Sequence, residues 1–315
     1  MADWITPDWP APPNVKSAAT LRTGGVSQGA FSSLNFGSHV GDEPAAVAEN
    51  RRLLRAALKL PPEPAWLNQV HGINVVDATG GTVAASSRNA SDARSSTAVD
   101  ATREAVASFS NVSGASSSTA DANSSGARGA SSISEGGGSR TQENPASAGG
   151  AMPVAPTADA SVARGAGAVC VVMTADCLPV LFCDRAGTRV GAAHAGWRGL
   201  AGGVLGATIK ALDVPPSSLM AWLGPAIEQD AFEVGDDVHE AFLKLAAENA
   251  AAFRSNERGR WQADLYQLAR NELARLGVTA VYGGGFKCFA DSERFFSYRR
   301  ENRTGRMATL VWLER

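Results

Sequence analysis

The hydrophobic positions of this chain change period several times. From residue 41 the string "GDEPAAVAENRRLLRAALKLPP" places Val47, Leu54, Ala57 and Leu58 on one helical face. Asp42 is the expected N-cap, Pro44 lies in the first turn, and Pro61 and Pro62 end the helix. In "AWLNQVHGINVVDA" two short apolar runs flank Gly72, which predicts a strand, a turn carrying His71, and a second strand. Near-continuous apolar runs in "GAGAVCVVMTADC", "LPVLFC" and "TRVGAAHAG" predict short strands buried on both faces. Then "GLAGGVLGATIKAL" predicts one helix with Leu200, Val204 and Leu212 in the core, its glycines permitting close approach to a sheet. Two further helical patterns follow, "DDVHEAFLKLAAENAAAF" and "ADLYQLARNELARLG", the second with Leu265, Leu268, Leu273 and Leu276 and a terminating Gly277. The final "MATLVWL" reads as a strand. The mixture means α/β or α+β; the order of strands in a sheet does not follow from it.

Between about residues 80 and 157 the pattern stops. From Ala105 to Ala151, 31 of 47 residues are Ser, Ala or Gly and Phe109 is the only aromatic. Such a stretch cannot bury enough apolar surface to offset the roughly 1 to 2 kcal/mol per residue of backbone ordering, so it is expected to be a disordered insertion. Looping it out leaves two flanks that together suit one domain over 1–315, interrupted by a long surface excursion. A linker between two independent domains is the alternative.

With 29 Lys+Arg against 31 Asp+Glu there is no global basic field of the kind that drives nucleic-acid binding. No run approaches the roughly 18 apolar residues of a membrane span, and the N-terminus lacks a signal-peptide core. Four cysteines, Cys170, Cys177, Cys183 and Cys288, are too few and too unevenly placed for a disulfide framework. A cytoplasmic protein without nucleic-acid, membrane or obligate protein partners is expected.

His71, Cys177 and His194 are a possible ligand set for a transition metal, since a catalytic zinc takes three protein ligands and keeps a fourth position open. Each alone is ordinary: a cysteine in an apolar run is usually a small hydrophobe. Position favours the combination, because Cys177 and His194 both fall where predicted strands end. After His194 the string "AGWRGLAGG" turns from strand to helix, where exposed N–H groups together with Arg198 could grip an anion, although no P-loop pattern is present. Two further basic collections are candidate ligand contacts: "LRTGGVSQGAFSSLNFGSHVGD", with Arg22, Asn35 and His39, and "FFSYRRENRTGRMATLVWL", with Ser297, Tyr298, Arg299, Arg300 and Arg306. His239 lies in an ordinary helical pattern and is expected to face solvent.

Taken in order, "RTGGVS", "SLNFG", "WLNQVHG", "MTADCLPVLF", "AAHAGWRGL", "WLGPAI", "AFEVG", "FFSYRR" and "TGRMA" resemble the YfiH family, also called the laccase-domain, polyphenol-oxidase or peptidoglycan-editing-factor family. The resemblance runs from about residue 15 to the C-terminus and spares only the insertion. It implies a single α/β (α+β) domain of layered mixed sheets flanked by helices. It also implies zinc on His71, Cys177 and His194, with phosphorolysis of adenosine, inosine, guanosine and methylthioadenosine and deamination of adenosine. Asp176 and Arg198 are then the candidate catalytic residues and Arg22, Asn35 and Arg299 the candidate substrate-binding ones, with purine nucleosides and phosphate as partners. Asp176 could equally orient the neighbouring ligand Cys177. The alternatives are release of L-Ser from a UDP-MurNAc-L-Ser precursor, and a copper polyphenol oxidase. A multicopper oxidase needs many histidines, and the chain has 4. Where the family often has Cys-Thr, this chain has Cys288–Phe289.

Overall fold

A computed structural model of the chain describes residues 3–61, 63–79 and 155–315. The predicted insertion over 80–157 lies outside the described residues except at its end. There, Thr157 already bridges to Asn68 and the Pro156 carbonyl accepts the Asn68 N–H, so ordered structure resumes earlier than the composition suggested.

The strands are β1 (Trp4–Ile5), β2 (Val15–Thr20), β3 (Val75–Asp77), β4 (Ala160–Ala163), β5 (Val169–Thr174), β6 (Leu178–Asp184), β7 (Val190–Ala195), β8 (Leu219–Leu223), β9 (Glu233–Val234), β10 (Phe253–Ser255), β11 (Trp261–Ala263), β12 (Ala280–Gly283) and β13 (Met307–Leu313). Helices are α1 (Pro44–Leu58), α2 (Trp197–Gly202), α3 (Val204–Leu212), α4 (Asp236–Leu245) and α5 (Leu265–Arg275). One sheet runs β1-β2-β13-β5 and another β12-β8-β6-β7-β4-β3, with a small third sheet β10-β11-β9. Pairing is antiparallel except for β3 with β4 and β12 with β8. Both flanks share sheets: β2 pairs with β13, and β3 with β4.

Period-2 alternation sorts the strand residues into layers. Along β5, Val169, Val171 and Met173 pack with Leu54 of α1, Trp66 and Leu310, whereas Cys170 and Val172 face Leu181, Cys183 and Trp222 of the larger sheet. Along β6, Leu178, Val180 and Phe182 point the other way, onto Leu205 and Ile209 of α3 and Leu268 and Leu273 of α5. The order is therefore helix, four-stranded sheet, six-stranded sheet, helices. A strand buried on both faces has no polar position to alternate with, which is why β5, β6 and β7 read as continuous apolar runs.

Several details differ from the sequence expectation. α1 starts at Pro44 without a side-chain cap; the Asp42 carboxylate instead accepts from Ser27, Asn35 and its neighbour's N–H. Ala57 is exposed, and buried Asn50 occupies the helix face instead, holding residues 26–35 through Val26, Ser27, Ser33 and Asn35. The single helix after His194 is two, broken at Gly203 in the left-handed region (φ 94°), a conformation that glycine adopts at no steric cost. The run before Gly72 makes only isolated bridges at Ala65 and Asn68, leaving β3 as the strand. His239 is half-buried, its ring stacked on Trp261 at 3.8 Å between centroids.

Candidate metal centre and basic cleft

The site begins with a carboxylate that composition alone left unremarked. Asp159, just before β4, is fully buried. Its Oδ1 accepts from the His71 N–H (2.9 Å) and meets His194 Nδ1 (2.9 Å), while Oδ2 accepts from the N–H groups of Gly72 (2.6 Å) and Val70 (3.2 Å). Burial raises a carboxyl, but the His194 and backbone hydrogen bonds outweigh it and hold Asp159 below its usual range. One side chain thus folds the 70–72 turn and orients the His194 ring. His71 sits in that turn with φ 61°, a left-handed conformation a non-glycine residue takes only when its surroundings over-determine it.

His194 comes from β7 and Cys177 from the connection of β5 to β6. The β6–β7 ladder pairs Leu178 with Ala195 and Pro179 with His194, so thiol and imidazole emerge at the same sheet end. Cys177 Sγ lies 3.7 Å from His71 Nε2, and the two imidazole rings meet edge to face at 4.7 Å. One ligand atom from each of the three residues falls within 4.8 Å of the others. Tetrahedral zinc with ordinary Zn–S and Zn–N bonds places S and N about 3.6 Å apart, so the spacing suits such an ion. Asp159 on Nδ1 leaves Nε2 as the ligand atom of His194, a common arrangement around metal-binding histidines. Gly196 completes the fit: a Cβ there would stand 2.7 Å from Cys177 Sγ.

Electrostatics agree with this donor set. Burial would raise the Cys177 thiol, yet His194 and His71 bring it down to about 6. Burial would lower His194, yet Cys177 and Asp159 push it up to about 9. Cys170 and Cys183, inside the sheet interface with no such partners, are pushed up to about 12 chiefly by burial. Thiolate is the metal-binding form, and only Cys177 has it near neutral pH.

The centre opens into a cleft of about 520 Å³. Asp176, Arg198, Arg299 and Arg306 line it, with Trp197, Phe232 and Tyr298 as its aromatic surfaces. Asp176 has φ 90°; its Oδ2 accepts the Arg299 N–H at 2.7 Å, while its Oδ1 is buried with no hydrogen-bond partner among the described residues. Burial raises this carboxyl, partly offset by the Arg299 N–H and the Ser297 hydroxyl. Arg198 is exposed, its guanidinium 4.4 Å over the Trp197 ring. It belongs to the six-residue α2 and stands on the cleft wall.

Two candidates do not reach the cleft. Arg22 binds the carbonyls of Ser32 and Ser292, pairs with Glu301 and lies over Phe296. Asn35 is fully buried, and its amide joins Gly37, Asp42 and the Arg306 N–H. Both hold loops together, so direct substrate contact is corrected to a positioning role. Arg299 does line the cleft, fastened to the Glu233 carbonyl at 3.0 Å. Arg300 is committed to the carbonyls of Cys288, Phe289 and Phe295. Phe289 is outside the cleft lining; its N–H goes to Glu228. Asp159 was the residue missed. Its signal was an acid in the otherwise small and apolar "ADASVA", which becomes a β-strand.

The fold and the His/Cys/His centre define a class: layered α/β proteins with a metal-type cluster at the mouth of a basic cleft. A solved structure of the Neisseria meningitidis protein NMB0706, titled as DUF152, is 44% identical, with a TM-score of 0.73 and 99% of each chain covered. The family described as multi-copper polyphenol oxidoreductase laccase matches residues 16–124 and 126–314. A purine nucleoside phosphorylase of Pseudomonas aeruginosa is 44% identical over 315 residues, covering 100% of both chains. The purine nucleoside phosphorylase YfiH of Escherichia coli K12 is 40% identical over 313 residues, covering 99% of this chain and 100% of its own. The chain belongs to this YfiH, or laccase-domain, family. Among the described residues no helix is long and apolar enough to cross a membrane.

Proposed function

We propose that this protein is a zinc-dependent purine nucleoside phosphorylase, acting on adenosine, inosine, guanosine and methylthioadenosine and also deaminating adenosine. The observation that carries this reading is the cleft's charge. Three arginines, Arg198, Arg299 and Arg306, face one carboxylate beside the ligand cluster, a wall suited to a phosphate and not to a neutral phenol. The names of the 44% and 40% identical relatives support it.

His71, Cys177 and His194 would hold the ion on three donors with one side toward the cleft, where zinc would supply Lewis acidity. The chain's own groups do the remainder. Trp197, Phe232 and Tyr298 offer faces on which a purine can stack, and the arginines hold the phosphate. A phosphate oxygen bonds to the anomeric carbon as the bond from that carbon to the purine nitrogen breaks, its electron pair leaving with the base. Asp176, with one oxygen held by the Arg299 N–H and the other without a hydrogen-bond partner among the described residues, is the group assigned in this reading to protonate the departing purine. The phosphate's lost proton restores that carboxyl. The cavity could lodge the whole nucleoside.

Histidine supply argues against multicopper chemistry. Beyond His71 and His194, the chain's other two histidines are His39 and His239, the latter stacked on Trp261 away from the cluster. Incubation of the protein, its metal content measured, with each nucleoside with and without phosphate tests the reading. Free purine and ribose 1-phosphate, formed only with phosphate, are expected. No nucleoside turnover alongside hydrolysis of UDP-MurNAc-L-Ser would sink it, as would stoichiometric copper with catalytic phenol oxidation.

A further inference from the structure

Among the cleft's cations, Arg306 is held by the chain at its backbone and along its side chain. The β5–β13 ladder pairs Met307 with Thr174, so in this antiparallel register Arg306 stands across from Ala175, immediately before Asp176 and Cys177. Its N–H donates to Asn35 Oδ1 at 2.9 Å, and its carbonyl accepts the Phe36 N–H at 3.2 Å. The side-chain stem crosses Gly37, where an added Cβ would lie 2.9 Å from Arg306 Cγ. Nη1 is bound to the carbonyls of Thr304 (3.0 Å) and Gly305 (3.1 Å). Nε and Nη2 have no protein hydrogen-bond partner among the described residues, and no carboxylate there forms an ion pair with this guanidinium.

Burial lowers the pKa of the Arg306 guanidinium, and the Cys177 and Asp176 side chains across the cleft partly offset that without forming an ion pair with it among the described residues. His39 lines the same cleft; burial and then the charges of Arg306, Arg51 and His71 lower its pKa. The Tyr298 ring lies 5.8 Å from the Arg306 guanidinium, covering one side. The buried hydroxyls of Thr174, across the ladder, and of Thr304, on the same segment, have no hydrogen-bond partner among the described residues. A half-buried guanidinium whose Nε and Nη2 donors face the cleft without acceptors is completed by an acceptor that binds there.

We propose that Arg306, set in place by Asn35 and Gly37, is the residue that receives the phosphate oxyanion, through Nε and Nη2. The inference deepens the phosphorylase reading and rests on it for the identity of the anion. It also gives Asn35, which never reaches the cleft, a specific task.

The test uses the full chain and inorganic phosphate. Phosphate binding is measured by calorimetry at fixed ionic strength, and the KM for phosphate and for inosine separately, in wild type, Arg306→Gln, Arg306→Lys, Gly37→Ala and the remote Arg52→Gln. Losing a charge-assisted pair of hydrogen bonds predicts about a 10- to 100-fold weaker phosphate affinity in Arg306→Gln, with the KM for inosine changed less than about threefold. Arg306→Lys should recover part of the loss, Gly37→Ala should show a smaller one, and Arg52→Gln none. If Arg306→Gln fails to fold, Arg306→Lys and Gly37→Ala carry the same comparison. Wild-type affinity in the Arg306 variants overturns the proposal, as does a wild type that binds no phosphate. Phosphate-dependent turnover unaffected by Arg306→Gln would defeat this inference alone. Phosphate bound through Arg306 by a protein that cleaves no nucleoside would defeat the phosphorylase reading alone.

Discussion

The two walls of the cleft are built on opposite rules. On the Asp159 wall, both carboxylate oxygens are taken up and the three ligand residues face one another. On the Asp176 wall, an Asp176 oxygen, the Thr174 hydroxyl and the Nε and Nη2 donors of Arg306 have no hydrogen-bond partner among the described residues. Asp159 is fully buried and Asp176 half-buried, yet the first is held below its usual range and the second above it. The difference lies in the donors around each. A wall whose groups satisfy each other holds geometry; a wall left short of partners is completed by what binds.

The largest test of that contrast is Cys177→Ala. It removes the thiolate ligand, so bound metal and nucleoside turnover should both disappear while the fold persists; metal analysis, far-UV circular dichroism and the phosphate-dependent assay read the three. A folded variant with full activity would refute a catalytic metal. Next, Asp176→Asn should lower kcat by about 10²- to 10⁴-fold, because the proton donor is gone. Its stability in urea should move by less than about 1 kcal/mol, since the unpartnered oxygen contributes no bond to the fold. Asp159→Ala should do the reverse in denaturant titrations: about 3 to 5 kcal/mol of stability lost, because backbone donors and His194 lose their buried acceptor. If the two aspartate variants behaved alike, the two-wall description would be wrong.

The smallest test compares thiols. In metal-stripped protein, iodoacetamide should label Cys177 at a rate that rises with pH through about 6 and levels off above it, since the reactive thiolate accumulates as pH passes the lowered pKa. Cys170 and Cys183, pushed up to about 12, should stay unlabelled at pH 8 in the folded protein. Peptide mass spectrometry resolves the sites, and faster labelling of Cys170 would contradict the electrostatic account.

Periodicity located the strands that carry Cys177 and His194 and most of the helices, because those patterns report burial, which a linear sequence records residue by residue. It missed β1, β4 and β8 to β12, of two to five residues each and too short to show a period, and β2, whose VKSAAT mixes polar with small residues; it merged α2 with α3 because a glycine's sign of φ is not written in its letter. His71, Cys177 and His194 were legible as a possible ligand set by residue type and by family resemblance. Their convergence, however, depends on strand register and on one buried carboxylate.

What the sequence determined by itself was the inventory: a mixed α/β chain with one His/Cys/His set, a near-neutral charge balance and an arginine-rich C-terminal end. Tertiary structure alone decided which arginines face the cleft, that Asp159 organises one wall, and that Arg22 and Asn35 stand behind the other. The reason is physical. Burial pattern is a local property of the chain, whereas a hydrogen-bond partner 88 or 271 residues away is set only when sheets close and bring the two side chains into contact.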